Sequence, residues 1–118
     1  MAIDDMNSKL VLALLAGALL AGCAAQPKPL YHWGEYQPRV YEHFRAESAP
    51  EEQILKLEEG VQKAAAAGEA LPPGYHAHLG LLYGRIGRGE EMKRAFEAEK
   101  TQFPESAAFI DRLLDKLD

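Results

Sequence analysis

The amino-terminal part of the chain is the feature that most constrains its fold. Residues 10–21 are an unbroken run of Leu, Val, Ala and Gly that follows Lys9. Spanning a hydrocarbon core about 30 Å thick takes about 20 apolar residues, so this run is too short to cross a membrane. Its length and basic flank are typical of the hydrophobic region of a secretory signal. We therefore expect the folded part of the protein to lie within residues 23–118, which is enough chain for one domain.

The apolar run ends in a lipobox made of Leu20, Ala21, Gly22 and Cys23. Small residues suit a cut directly before Cys23, whose thiol accepts diacylglycerol and whose freed amine accepts a further acyl chain. Each buried methylene contributes about 0.8 kcal/mol and one chain holds only marginally, so several chains are needed for firm anchoring. The pattern predicts a lipoprotein signal peptide over residues 1–22 and a lipidated cysteine with its tether over 23–30. The alternatives are a buried helix, or a plain secretory signal with an incidental cysteine.

Two further residue choices bear on the start site and the destination of the chain. Asp4 and Asp5 are unusual before a signal, so Met6 is a better start than Met1. Residue 24 is Ala, and in enteric-type bacteria an Asp there tends to retain a lipoprotein in the inner membrane. We therefore expect an outer-membrane location, on the periplasmic face.

Charge and cysteine content exclude several classes of partner and ligand. The net charge is −5, and it becomes −4 once Lys9, Asp4 and Asp5 are removed with the signal. A mildly acidic chain does not attract nucleic acid through its overall electrostatic potential. A single cysteine excludes an internal disulfide and a cysteine-based metal site. We expect no cofactor apart from the covalent diacylglycerol and the N-acyl chain on Cys23.

Residues 31–118 show helical periodicity and no strand alternation, so we expect an all-α domain of about five helices. The sequence from Ser48 to Glu51 reads as a capping box. Gly68, Gly87 and Pro104 are helix-ending signals. The predicted apolar stripes, in chain order, are Val40, Tyr41 and Phe44; Ile54, Leu57, Val61, Ala64 and Ala65; Leu79, Leu82, Tyr83 and Ile86; Met92, Ala95, Phe96 and the stem of Glu99; and Ile110, Leu113, Leu114 and Leu117.

One stretch follows the spacing of a tetratricopeptide repeat, although His76 replaces its tryptophan and Met92 its alanine. In this pattern a glycine lets two helices of a hairpin approach, apolar side chains fill the space between them, and a proline closes the second helix. An earlier, weaker hairpin would pair Tyr41 with the helix of residues 48–68. The alternative is an unrelated helical bundle. The predicted packing residues are Leu79, Gly80, Tyr83, Met92, Phe96 and Pro104.

Three segments taken together resemble a family of small lipoproteins of unknown function. They are residues 31–36, residues 72–80, and residues 99–106 followed by Phe109. Members of that family typically lie beside genes for a lipoprotein resembling the curli secretion channel and for a second small lipoprotein. The resemblance implies a periplasm-facing subunit of an outer-membrane lipoprotein assembly with those two proteins as partners. It implies no reaction and no catalytic residue.

The residues do not assemble into a recognisable catalytic or metal site. His76 and His78 are two apart and point to different helical faces, so we expect no metal site there or at His32 and His43. Glu51, Glu52, Glu90 and Glu91 are best read as solvated charges in the first turns of helices. We therefore expect a protein that is not an enzyme.

The segment with Tyr31, Trp33 and Tyr36 is the candidate contact site. It follows the tether directly, and Trp and Tyr dominate the hot spots of protein interfaces. A structural role is the alternative, with Trp33 and Tyr36 packed onto the first hairpin.

Three functions are compatible with these features. The first is a non-enzymatic adaptor in an outer-membrane lipoprotein complex. The second is a pilotin-like chaperone that binds a peptide of a channel subunit. The third is a cell-wall-acting enzyme, whose carboxylates would have to come from Glu90, Glu91, Glu97 or Glu99, although these fall along one helix.

Overall fold

The computed structural model describes residues 2–21 and 26–116, and all of the regular secondary structure in this part of the chain is helical. The predicted all-α class is therefore confirmed. Gly22, Cys23, the start of the tether and Leu117 lie outside the described residues. The helices are α1 (Ala2–Ala21), α2 (Tyr36–Arg45), α3 (Pro50–Ala67), α4 (Tyr75–Arg85), α5 (Gly89–Gln102) and α6 (Ala107–Leu114), with a 3₁₀ turn at Pro104–Ser106 before α6.

Helix α1 covers the predicted signal segment and exposes apolar side chains such as Leu14 and Leu19. Within the described residues, the length and apolarity needed to cross a membrane are not found together in any helix.

Helices α2 to α6 pack in chain order: α2 against α3, α3 against α4, α4 against α5, and α5 against α6. This order is compatible with stacked helical hairpins. Leu57, Leu82, Phe96 and Ile110, from four different helices, are at most 1 % exposed and form the centre of the core. Of the predicted stripes, α3 leaves Ala65 exposed and α2 leaves Tyr41 and Phe44 exposed.

The predicted capping box at the start of α3 is wrong. Ala49 is the N-cap, it makes no side-chain cap, and Pro50 is the first helical residue. Proline suits this position because its missing N–H would have no partner in the first turn. The Ser48 hydroxyl instead donates to Glu42 Oε2 on α2 at 2.8 Å, so it ties the two helices together.

The hairpin of α4 and α5 depends on a glycine at their closest approach. A Cβ built on Gly80 would lie 2.6 Å from Cε1 of Phe96, whose side chain is 1 % exposed. Leu79, Tyr83 and Met92 are buried around this contact, and Pro104 opens the 3₁₀ turn after α5. The structure thus places five of the six predicted packing residues in one hairpin, with Pro104 just after its second helix.

We expect Gly80→Ala to lower the free energy of unfolding by about 1 kcal/mol, the middle of the range given by the two opposing effects. Overpacking against the Phe96 ring costs about 1–3 kcal/mol, which outweighs the gain of about 1 kcal/mol in helix propensity. Gly89→Ala is the matched control, because nothing lies within 4 Å of a Cβ built there. Urea unfolding of both variants measures the difference, and equal stabilities would contradict the close approach.

Candidate functional site: an aromatic strap across the helical hairpin

Residues 31–36, which we call the aromatic strap, run from the tether to α2 and are pinned to the rest of the domain. The backbone N–H of His32 donates to the carbonyl of Ala70 at 2.7 Å, and His32 Nδ1 lies 2.9 Å from Glu69 Oε2. The ring of Tyr31 meets that of Phe103 edge-on, with centroids 6.1 Å apart. The strap is therefore attached both to the α3–α4 loop and to the end of α5.

Tyr36 fixes the other end of the strap on α4. Its ring stacks on that of Tyr75 with centroids 5.2 Å apart, and the Tyr75 hydroxyl donates to the carbonyl of Leu57 at 2.7 Å. Burial, assisted by the charge of Glu35, raises the pKa of Tyr75 to about 12. Gly74 has a φ of +90°, and a Cβ there would lie 2.7 Å from the Tyr36 hydroxyl. The position therefore requires glycine for both its backbone conformation and its space.

A buried carboxylate on α5 holds the beginning of α4. Glu99 is 1 % exposed; its Oε1 accepts from the Gly74 N–H at 2.7 Å and its Oε2 from the Ala77 N–H at 3.3 Å. A carboxylate satisfies unpaired N–H groups at a helix N-terminus and is attracted by the helix dipole. The sequence placed only the stem of Glu99 in the core. A Glu on an apolar stripe could have indicated a buried pair, since such residues are almost never buried alone.

A pair of imidazoles joins α2 to α4 beside the strap. The rings of His43 and His78 are nearly perpendicular with centroids 5.0 Å apart, and the Tyr36 ring meets His78 edge-on. Nε2 of His78 is buried without a hydrogen-bond partner. Burial, then the neighbouring His43 and Arg85, lowers the pKa of His78 to about 4. Burial and Arg85 also lower the pKa of His43. The pair is therefore neutral at pH 7.

The three predicted contact residues differ in their exposure to solvent. Tyr31 and Tyr36 are half-buried in the contacts above, whereas Trp33 stacks on Tyr36 yet stays 41 % exposed. Trp33 packs on Tyr36, the first residue of α2, and Tyr36 packs on Tyr75 of α4. The contact role of the three residues and the structural alternative both stay predictions.

A second exposed aromatic surface lies on α2. Tyr41 is 58 % and Phe44 82 % exposed, and residues three apart share a helical face. We call these two side chains the α2 patch. Periodicity placed both on an apolar stripe but could not show that this stripe stays uncovered by the other helices of residues 2–21 and 26–116.

Two grooves flank the hairpin. One of about 410 Å³ is mainly apolar and is lined by Leu81, Met92, Phe96 and Leu113, among others. The other, of about 510 Å³, has a mixed lining with several charged side chains, and most of these are paired. Glu58 accepts from the Tyr83 hydroxyl at 2.6 Å, and Arg88 lies 2.9 Å from Glu91.

The carboxylates considered for enzyme chemistry have partners inside the domain or face water. Glu97 lies 3.6 Å from Lys100, Glu91 pairs with Arg88, Glu99 holds α4, and Glu90 is exposed. Across residues 2–21 and 26–116 no three His, Cys, Asp or Glu side chains converge as a metal site.

The fold and the site define a small domain of stacked helices closed by an aromatic strap. The chain belongs to the family described as a domain of unknown function (DUF4810), which matches residues 30–113. The predicted membership of an uncharacterised family is thus confirmed, while the lipoprotein character and the neighbouring lipoproteins stay predictions. No curated protein and no solved structure matches the chain.

Proposed function

We propose that this protein is a non-enzymatic lipoprotein, anchored through Cys23 to the periplasmic face of the outer membrane, that serves as an adaptor for other lipoproteins. The anchoring part rests on the lipobox that ends in Cys23. The partners, a lipoprotein resembling the curli secretion channel and a second small lipoprotein, are those implied by the family resemblance.

The observation that carries the adaptor role is the exposure of the α2 patch. A small domain with a limited core gains nothing from leaving a phenylalanine 82 % exposed beside a half-exposed tyrosine. Clustered exposed aromatics mark surfaces that partners cover. We assign this patch to the channel-like lipoprotein, and the second lipoprotein would join the same assembly.

Phe44→Asp is expected to reduce recovery of the channel-like lipoprotein about tenfold in a pull-down of the tagged, lipidated protein from native membranes. A tenfold loss corresponds to about 1.4 kcal/mol, within the range of a hot-spot residue. Leu55→Asp is the control, because Leu55 is also apolar and 55 % exposed but lies on α3. Cys23→Ser tests the anchor separately, since it should release the protein from the membrane.

Crosslinking from position 44 identifies the partner directly by mass spectrometry. Recovery of the channel-like lipoprotein at position 44 and not at position 55 supports the proposal. Clean recovery of a lone, membrane-anchored monomer, or equal crosslinking from both positions, would contradict the adaptor role and leave the anchor intact.

The apolar groove favours a second candidate, a pilotin-like chaperone that binds an apolar segment of a channel subunit. Leu81, 42 % exposed, stands in this groove beside buried Met92 and Phe96. Leu81→Glu would then mislocalise the channel subunit without any stable complex being lost. Mislocalisation with Phe44→Asp instead would favour the adaptor.

A further inference from the structure

We propose that Leu30 and Trp33 dock into the headgroup region of the bilayer that holds Cys23, so that a lipid surface is the partner of this end of the domain. The inference rests on the proposed lipidation of Cys23 and deepens it. It assigns an orientation to the domain, with the aromatic strap toward the membrane and the α2 patch left for protein partners.

The length of chain between the anchor and this surface restricts the distance to the bilayer. Leu30 lies seven positions after Cys23, and a fully extended chain of this length spans at most about 25 Å. Leu30 and Trp33 are three residues apart, so their Cα atoms lie within about 10 Å of each other. A short tether gives both side chains a high effective concentration at the membrane surface.

The exposed side chains near Cys23 are of types that favour the headgroup region of a bilayer. Leu30 is 79 % and Trp33 41 % exposed, and Lys28 is also exposed. Tryptophan concentrates at membrane–water interfaces because its ring is apolar and its indole N–H is polar. Leucine adds apolar surface that inserts into the headgroup boundary, while lysine reaches the phosphates with its ammonium group.

Two neighbouring aromatic rings already hold the Trp33 side chain in place. Its ring is held by Tyr31, edge-on with centroids 6.3 Å apart, and by Tyr36, stacked at 6.3 Å. A ring already ordered by its neighbours loses little side-chain freedom when it docks.

Of the two nearby carboxylates, Glu35 is paired with a guanidinium, whereas Glu69 contacts an imidazole that offsets its charge only when protonated. Glu35 lies 3.0 Å from Arg39 Nη2, and Glu69 lies 2.9 Å from His32 Nδ1. Lys28 supplies the charge that faces the phosphates, although the whole chain is acidic.

Trp33 is the only tryptophan in the chain, so its fluorescence reports on this surface alone. We would reconstitute the full lipidated protein into vesicles of phosphatidylethanolamine and phosphatidylglycerol carrying bromine at shallow or deep acyl positions. The proposal predicts a blue-shifted emission and loss of most of the Trp33 signal with shallow bromine, and a smaller loss with deep bromine. Equal emission in brominated and plain vesicles would overturn it.

Two variants test whether the quenching is specific. Leu30→Ala should reduce the quenching of Trp33 without changing the helical circular dichroism, since Leu30 is almost fully exposed. The double variant Trp33→Phe, Phe44→Trp moves the reporter to the α2 patch, where we expect little quenching. Equal quenching at positions 33 and 44 would overturn the assigned orientation.

The mass of the purified protein distinguishes a failure of the lipid anchoring from a failure of the membrane docking. If Cys23 carries no lipid, the proposed anchoring fails, and the docking that rests on it fails as well. If Cys23 is lipidated but Trp33 is not quenched, only the docking of Leu30 and Trp33 is wrong. Because the vesicles contain no other protein, quenching there cannot come from a protein partner.

Discussion

Replacing Glu99 with alanine is expected to lower the free energy of unfolding by about 3 kcal/mol. Two hydrogen bonds from the Gly74 and Ala77 N–H groups to a carboxylate are lost, and bonds to charged groups contribute about 1.5–3 kcal/mol each. Relaxation and entry of water recover part of that loss. The beginning of α4 would keep its unpaired N–H groups in a buried place and lose a favourable charge at the helix N-terminus.

Two further variants separate the charge from the packing of the stem. Glu99→Gln keeps the stem and one acceptor oxygen, so it should cost about half as much as the alanine variant. Glu97→Ala is the matched control, because this side chain is 60 % exposed on the same helix and exposed ion pairs contribute at most about 1 kcal/mol. Urea unfolding followed by circular dichroism gives the values. Similar costs at positions 97 and 99 would show that Glu99 does not hold α4.

Acidification from pH 7 to pH 5 is expected to remove about 2 kcal/mol of stability through His78, and about 3 kcal/mol by pH 4. In the folded protein the pKa of His78 is about 4, whereas an unfolded histidine titrates near 6.5. The unfolded chain therefore binds the proton more tightly. The stability is fully present above pH 6.5 and is lost as the pH falls from 6.5 toward 4.

His78→Leu is expected to flatten this dependence. The substitution removes an imidazole whose Nε2 is buried without a partner, so little is lost at pH 7.5. His76→Leu is the comparison variant: burial also lowers the pKa of His76, but Glu99 opposes that shift, so most of the pH dependence should remain in this variant. The measurement is the urea midpoint between pH 7.5 and pH 4.5. A wild-type slope retained in His78→Leu would contradict the role of this histidine.

Local signals were enough to predict most of the helix boundaries. Pro50 at the start of α3 and Pro104 after α5 act through their own missing N–H, and Gly68 ends α3 through a left-handed conformation. These effects depend on the residue and its immediate neighbours, so they can be read from the sequence. The exception is Ser48, whose hydroxyl had a better acceptor on another helix.

The site depends on contacts between residues far apart in the chain, and these could not be predicted. Glu99 holds Gly74 across a separation of 25 residues, and His78 meets His43 from a different helix. Periodicity finds the apolar face of α2 but not whether a neighbour covers it, so the exposure of Phe44 emerged only from the packing. The strap was recognised as a contact segment, but its division into pinned Tyr31 and Tyr36 and exposed Trp33 was not.

The attachment of the aromatic strap also determines how tension would pass through an anchored molecule. A pull from Cys23 would enter the domain at Leu30 and meet first the Tyr31–Phe103 contact and the hydrogen bond from His32 to Ala70. The load would thus pass into the α3–α4 loop and the end of α5 before it reaches α2. A partner bound on α2 would be shielded from movements of the membrane, because the contacts of the aromatic strap would take up the pulling force before it reached α2.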